Sequence, residues 1–496
     1  MRVDPYRRRH PKHTVVFVDG DGVYTDEHGD SIDPRNVPPN HRCFTTWDTA
    51  RRLTIEGRGE ALLWKGEHIR WSPFQHPGDT TWRPALSDAY VLRVPMYADT
   101  ATNLAEIARW RDWLHEYGAV PGTPGAASMG LLKGTLRKPL WCSVGWDAKR
   151  IRQSFGGRIG NGPGGPGEYR GDLFHYDLQA AYANGIGTVR YGGRWFHEPR
   201  DNPEWLAHLA RQGVPVLVHA RVYVPKLATY GPLPSLALSP RLRAHRHHPF
   251  LREMLRMSGG MYPTGRRIQG WWTYEEVQLA ADIGCNIKVI AAWKHCAPKD
   301  SPFRHWLQAV NYGREMQGLA GSLAKLTGNA LWGQFALDAS LYGRRTIRRY
   351  TKGRKRPVVV KLADHPKRIP AIDLAEIVAG RVRAQLLAAM LQCGNSLICA
   401  HTDGLWAIGT VRLTNEWRVK ASAQRVELLN PQKLRYHPRR KSPVTVYAGV
   451  PLERGAEAFD RDWSNWNERQ SDTHPENVPV VRQTLRGPQG PAVEGV

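Results

Sequence analysis

From residue 14 the chain reads Thr-Val-Val-Phe-Val, an apolar β-branched run that predicts a buried strand, and Asp19-Gly20-Asp21-Gly22 ends it in a tight turn. Over residues 100–117 the period changes. Leu104, Ile107, Ala108, Leu114 and Tyr117 recur at helical spacing with charges between them, and Gly118 marks the end of that helix. Residues 158–171 contain Gly-Asn-Gly-Pro-Gly-Gly-Pro-Gly, too poor in side chains to pack, so a loop or linker is expected there. Asp172–Tyr176 then reads as a strand, Leu178–Gly185 starts a helix, and Pro215–Val224 and Asn286–Trp293 are further strands. Thr273 is placed to cap a helix with Glu275 and Glu276 in its first turn. Residues 302–336 predict two helices broken near Gly318 and Gly321, and 373–392 an apolar helix carrying Arg381 and Arg383. Ser396–His401, the turn Thr402-Asp403-Gly404 and Leu405–Ile408 predict a hairpin. The Pro-, Gly- and Glu-rich tail from about 470 reads as disordered.

At 496 residues the chain is too long for one core, and two to four domains are expected, with a boundary near 150. Its 41% hydrophobic content and mean hydropathy of −0.50 fit a folded globular protein. No apolar run approaches the roughly 18 residues of a membrane span, and the start has no signal-like stretch, so a cytoplasmic protein without membrane association is expected. Six cysteines without a Cys-x-x-Cys pair indicate neither a zinc site nor a disulfide framework. Seventy Lys and Arg against 45 Asp and Glu leave a net charge of +25, which attracts polyanions and makes nucleic acid the leading partner. The basic cluster at His245, His247 and His248 reads as a phosphate-touching loop.

Three segments carry candidate chemistry: Tyr176-Asp177-Leu-Gln-Ala-Ala-Tyr182, Lys325-Leu-Thr-Gly-Asn329-Ala-Leu-Trp332-Gly333 and His401-Thr-Asp403-Gly404. Asp177 and Asp403 each end an apolar run. Taken singly, one suits a helix N-cap and the other the first place of an Asp-Gly turn. Brought together, two such carboxylates suit a pair of Mg²⁺ ions, with Mn²⁺ as the alternative, in nucleotidyl transfer. Lys325 and Asn329 are four apart and share a helix face.

In order and residue type these segments resemble motifs A, B and C of family B DNA polymerases, particularly the small phage and plasmid enzymes that include the protein-primed group. Phe155-Gly156-Gly157-Arg158 is similar to the Tyr-x-Gly-Gly element before motif A, and Lys433-Leu-Arg-Tyr436 to the Lys-x-Tyr element. The resemblance covers roughly residues 150–450. It implies an α+β, right-hand fold with palm, fingers and thumb behind an N-terminal RNase H-like domain. The segments would be 1–150 (exonuclease-like), 151–300 (palm with an insertion at about 225–265), 301–340 (fingers), 341–430 (palm), 431–470 (thumb) and 471–496 (tail).

By the same resemblance, Asp177, Asp403 and the carbonyl of Leu178 would hold the metals. Lys325 and Arg314 would meet the incoming phosphates, Asn329 and Trp332 would border the nascent base pair, and Tyr182 would exclude a ribose 2′-hydroxyl. Gly156, Gly157, Arg158, Lys433 and Tyr436 would touch DNA. His401 stands where the family has an aspartate. Asp19 and Asp21 match the first exonuclease motif imperfectly, with no convincing later motifs, so the N-terminal domain is expected to be degenerate. The implied partners are primer-template DNA, dNTPs and a terminal protein primer, with the chain acting as a monomer. Its compact size fits a phage or mobile element. A metal-dependent 3′–5′ nuclease and a non-catalytic basic DNA-binding protein are the rival readings.

Overall fold

The computed structural model describes residues 12–64, 67–73, 88–92, 94, 96–136, 157–199, 202–235, 262–296, 300–336, 345–349, 358–362, 371–447 and 452–473. Gly156, the histidine cluster, most of the expected insertion and the tail after 473 lie outside these residues. The chain divides into two compact units, one of Met1–Arg152, Ile186–Arg194 and Cys296–Ala375, the other of Gln153–Gly185, Trp195–His295 and Glu376–Val496. Among the described residues no helix is long and apolar enough to cross a membrane.

The first unit begins with β1 (Thr14–Val18), β2 (Tyr24–Asp26), β3 (Ser31–Ile32), β4 (His41–Thr46), β5 (Glu60–Trp64), β6 (Glu67–Ser72) and β7 (Ala89–Leu92). β1 runs parallel to β4, and β4 to β7, while β2 and β3 continue antiparallel from the other side of β1. A strand at that position is covered on both faces, which is why Val15, Val16, Phe17 and Val18 are all buried. Helix Thr100–Glu116 packs on this sheet, with Trp110 edge-on to Phe44 at 6.0 Å. It starts where Asp99 accepts the Thr102 amide at 2.7 Å and stops at Gly118, whose φ of +69° few other residues tolerate.

In the second unit the glycine-rich stretch expected to be a loop instead supplies strand β8 (Arg158–Asn161) and the start of β9 (Gly167–Leu178), joined through residues 162–166. β8 pairs with Cys399–Thr402, and β9 lies elsewhere in the same sheet. Glycine here serves close approach: a Cβ on Gly162 would fall 1.9 Å from the Leu397 carbonyl oxygen, and the Gly162 amide donates to Ile398 at 2.8 Å. The Tyr169 hydroxyl closes the turn onto the Gly165 carbonyl at 2.5 Å. Strands β10 (Arg194–Glu198), β11 (Val216–Val224), β12 (Arg266–Thr273) and β13 (Asn286–Cys296) form a separate sheet in the order β10-β13-β11-β12. Helices Pro203–Arg211 and Tyr274–Asp282 cover one of its faces, burying Leu206, Leu209, Val277 and Ala280 against Val218, Val222 and Trp272. Thr273 and Glu276 make a reciprocal capping box at the second helix.

Back in the first unit, Arg304–Glu315 and Gly318–Ala336 form a helical hairpin. It breaks at Gly318 (φ +76°), while Gly321 lies inside the second helix, where a Cβ would meet the Met316 carbonyl. Trp110 and Trp113 of the N-terminal helix bond to Thr327 and the Ala309 carbonyl, each at 3.2 Å. Strands β14 (Arg345–Arg349) and β15 (Val358–Leu362) extend the first sheet through β5, completing the order β15-β14-β5-β6-β7-β4-β1-β2-β3.

The rest of the second unit comprises helix Ile372–Cys393 from Glu376 onward, β16 (Leu397–Thr402), β17 (Gly404–Ile408), β18 (Trp417–Asn430), β19 (Lys433–His437), β20 (Val444–Tyr447) and helix Leu452–Thr473. The strands join β8 and β9 in the order β20-β19-β18-β9-β17-β16-β8. Leu386, Leu387 and Met390 pack on one face against Ala400, Leu405 and Tyr176. Ile398, Trp406, Val426 and Leu434 form the core of the other face.

Candidate active site

Asp177 is the penultimate residue of β9, and β17 brings Gly404 directly opposite it. The Leu178 amide donates to the Asp403 carbonyl at 2.8 Å, so the two motif aspartates are neighbours by backbone register. His401 pairs with Gly404, so the chain reverses through Thr402, the last residue of β16, and Asp403 alone. There the Asp403 amide bonds the His401 carbonyl at 2.8 Å, a γ-turn about Thr402, whose φ is +56°. That is the rarer, more strained form of the turn, and a β-branched residue there carries about 1–3 kcal/mol of strain. The strained residue has a use: its hydroxyl donates to Asp403 Oδ1 at 2.8 Å and aims the carboxylate.

Burial raises the Asp403 pKa, and nearby Asp177 raises it further, against the lowering effect of the Thr402 hydrogen bond. His175, two residues before Asp177, is pushed down to about 4 by burial and then by Lys420, so at neutral pH it is an uncharged ring. It stacks on Trp406 at 5.0 Å and 7°. Residue 404 must be glycine for this arrangement, because a Cβ would lie 2.8 Å from the imidazole. Burial also lowers His401, which adds no negative charge.

Lys420 went unrecognised in the sequence. It falls at the register shift of β18 against β9, between Val419 and Ala421, and a bulge re-aims a side chain. Its ammonium reaches Asp177 Oδ1 at 3.1 Å. The site thus already attracts a cation. Among the described residues no group of three or more His, Cys, Asp or Glu side chains forms a metal cage. The donors fit an ion that takes two carboxylates and draws its other ligands from backbone, water and a triphosphate, as Mg²⁺ does.

Tyr182 stands on helix Ala181–Thr188, half-buried beneath this turn. A Cβ on Gly157 would lie 2.7 Å from the Tyr182 hydroxyl and 2.8 Å from Thr402 Cα, so Gly157 is the spacer that lets three segments meet. Burial, then Asp403, holds the Tyr182 phenol well above its usual range. Arg158, expected to face DNA, turns inward instead. It is 3% exposed, lies over the Tyr262 ring at 4.2 Å, and burial brings its pKa down to about 10. Its backbone pairs with Thr402 across β8 and β16, while its guanidinium donates to the Pro232 carbonyl at 3.5 Å.

A second buried arginine lies near Arg158. Arg383 bonds Glu276 at 2.8 Å and Glu376 at 2.5 Å, all three side chains being at most 1% exposed. An arginine in an apolar helix was the available sequence signal. Lys433 is engaged by Tyr447 at 2.6 Å and Asp462 at 2.8 Å, and Tyr436 packs on Trp406 at 5.0 Å.

The remaining expected residues belong to the helical hairpin of the first unit. Lys325 and Asn329 are both exposed on one face of helix Gly318–Ala336. Trp332 is half-buried and donates its indole N–H to the Ala375 carbonyl at 3.0 Å. Arg314, also half-buried, is in the last turn of the preceding helix.

No protein-family model matches the chain, and no curated protein matches it in sequence. Solved structures do. Phi29 DNA polymerase complexed with primer-template DNA and incoming nucleotide substrates superposes with a TM-score of 0.59 at 13% identity, covering 90% of this chain and 94% of that one. The phi29 enzyme with single-stranded DNA gives 0.56 at 13% identity over 91% and 94%. Its orthorhombic crystal form gives 0.54 at 14% identity over 91% and 95%. The chain therefore has the mixed α and β fold of phi29 DNA polymerase, a family B enzyme, in keeping with the resemblance carried by its three motifs.

Proposed function

We propose that the chain is a DNA-directed DNA polymerase that extends a primer 3′-hydroxyl with dNTPs under template direction. The observation that carries this is the register-locked pair Asp177 and Asp403, one carboxylate raised in pKa by burial and by the other, on a strained turn. In this reading the seven-stranded sheet is the palm, the helical hairpin the fingers, and the segment from β19 through helix Leu452–Thr473 the thumb. Asp177, Asp403 and the Leu178 carbonyl would hold Mg²⁺, which when bound would activate the attacking hydroxyl and steady the leaving pyrophosphate. The chain's own residues supply orientation. Thr402 fixes the Asp403 carboxylate, Gly404 admits the His175 ring, and Lys420 neutralises Asp177 until substrate and cations arrive. Tyr182, held beneath the turn, is the wall against a 2′-hydroxyl. Lys325 and Asn329, on a solvent-facing stripe, are assigned to the triphosphate and the nascent pair on the strength of the motif resemblance.

The N-terminal unit reads as a nuclease-derived domain without proofreading. Its strand order β3-β2-β1-β4-β7, antiparallel and then parallel, supports the RNase H-like reading. Its acidic turn does not support a metal site. Asp19 Oδ1 accepts the amides of Asp21 (2.9 Å) and Val23 (3.0 Å), and the guanidiniums of Arg52 and Arg58 clamp the carbonyls of Gly20 and Asp21.

Primer extension with the parent chain and Asp403→Asn tests the whole reading. Extension by the parent, reduced in the variant by about two to three orders of magnitude, is the expected result, the scale at which one electrostatic transition-state contact is felt. Degradation of the primer, unchanged in the variant, would favour the nuclease. Absence of both reactions in the parent would favour the non-catalytic binder.

A further inference from the structure

Among the described residues, the four-stranded sheet β10-β13-β11-β12 has helices packed on one face only. On the other, register places His219, Arg221 and Tyr223 of β11 opposite Trp271, Gln269 and Arg267 of β12, and sets Lys288 of β13 against Arg221. His219 stacks on Trp271 at 4.9 Å and 13°, and burial lowers its pKa, which favours the uncharged ring. Tyr223 is 44% exposed. None of β11, β12 and β13 puts a carboxylate on this face, and among the described residues Arg221, Arg267 and Lys288 have no acidic partner. Cations directly opposite each other weaken a strand pair, so Arg221 against Lys288 is an arrangement that folding alone disfavours.

Rings on one sheet face, interleaved with cations that have no acidic partner among the described residues, match a ligand that offers both π-faces and phosphates. In a duplex the base faces are already stacked on each other. In a single strand they are free. We propose that this face binds single-stranded DNA, with bases stacking on Tyr223 and on the His219–Trp271 pair and phosphates meeting Arg221, Arg267 and Lys288. The site goes beyond the synthetic reaction and does not depend on it.

The test is fluorescence anisotropy of a labelled oligo(dT) strand with the full-length chain over a range of salt. Arg221→Ala with Lys288→Ala is expected to weaken binding and to flatten the logarithmic salt slope by about 1.4, two phosphates at roughly 0.7 each on a single strand. Tyr223→Ala, which changes no charge, is expected to lose about fivefold or more in affinity with the slope intact. Photo-crosslinks from a bromodeoxyuridine strand should map to Tyr223 or Trp271. Unchanged affinity in both variants, equal losses for duplex DNA, or crosslinks confined elsewhere would overturn the proposal. If the double variant does not fold, Tyr223→Ala and the crosslink map decide alone. A chain that extends no primer yet crosslinks through Tyr223 would end the polymerase reading and leave this one standing.

Discussion

The chain has two turns of nearly the same composition, Asp19-Gly20-Asp21 after β1 and Thr402-Asp403-Gly404 between β16 and β17, and they spend their carboxylates differently. Asp19 gives its oxygen to its own backbone, two amides deep, and arginines hold the turn from outside. Asp403 keeps one oxygen on the neighbouring Thr402 hydroxyl and is held close to a second carboxylate by strand register. An acidic turn becomes a site when other strands keep its charge from being satisfied locally.

The largest contrast is catalytic. Asp177→Asn should cut primer extension by about two to three orders of magnitude, whereas Asp19→Ala should leave both extension and the handling of a mismatched 3′ end unchanged. Mismatch degradation that Asp19→Ala abolishes would erase the distinction between the turns. Next in size is stability. Asp403 has a raised pKa in the folded chain, so ionising it opposes folding as pH rises past the ordinary carboxylate range. Asp403→Asn removes that penalty. In EDTA at neutral pH it should melt a few degrees higher than the parent, and the gain should shrink as pH falls toward the ordinary carboxylate value. An equal or lower Tm at neutral pH would contradict the electrostatic account. The smallest effect concerns Lys420, whose half-exposed ion pair is worth about 1 kcal/mol at most. Lys420→Ala should tighten Mn²⁺ binding by about fivefold, read calorimetrically without substrate. Unaltered affinity would show that the ammonium does not compete for Asp177.

Locally determined structure was legible in the sequence. Strand Thr14–Val18, helix Thr100–Glu116 and the N-cap at Thr273 follow from periodicity and from side chains within four residues. Asp177 and Asp403 could be singled out because motif order does not depend on knowing the fold. What stayed hidden depends on distant pairing. Lys420 meets Asp177 across 243 positions through a bulge that nothing in its own segment announces. The glycine run at 160–167 looked like a linker, but Gly162 is there to admit the backbone of β16, more than two hundred residues on. Arg158 was expected at DNA because it ends the Phe155-Gly-Gly-Arg158 segment that resembles a family element, and the Tyr262 ring that covers it lies outside that segment.

The conformation of Thr402 sets two selective pressures against each other. Glycine would relax a backbone held at φ +56° and would favour resistance to heat, but it would delete the hydroxyl that steers Asp403. Laboratory evolution scored only on thermal tolerance should therefore drift toward glycine at codon 402 and yield robust proteins that copy DNA poorly, whereas scoring on synthesis should keep threonine or its nearest hydroxyl-bearing substitute, serine.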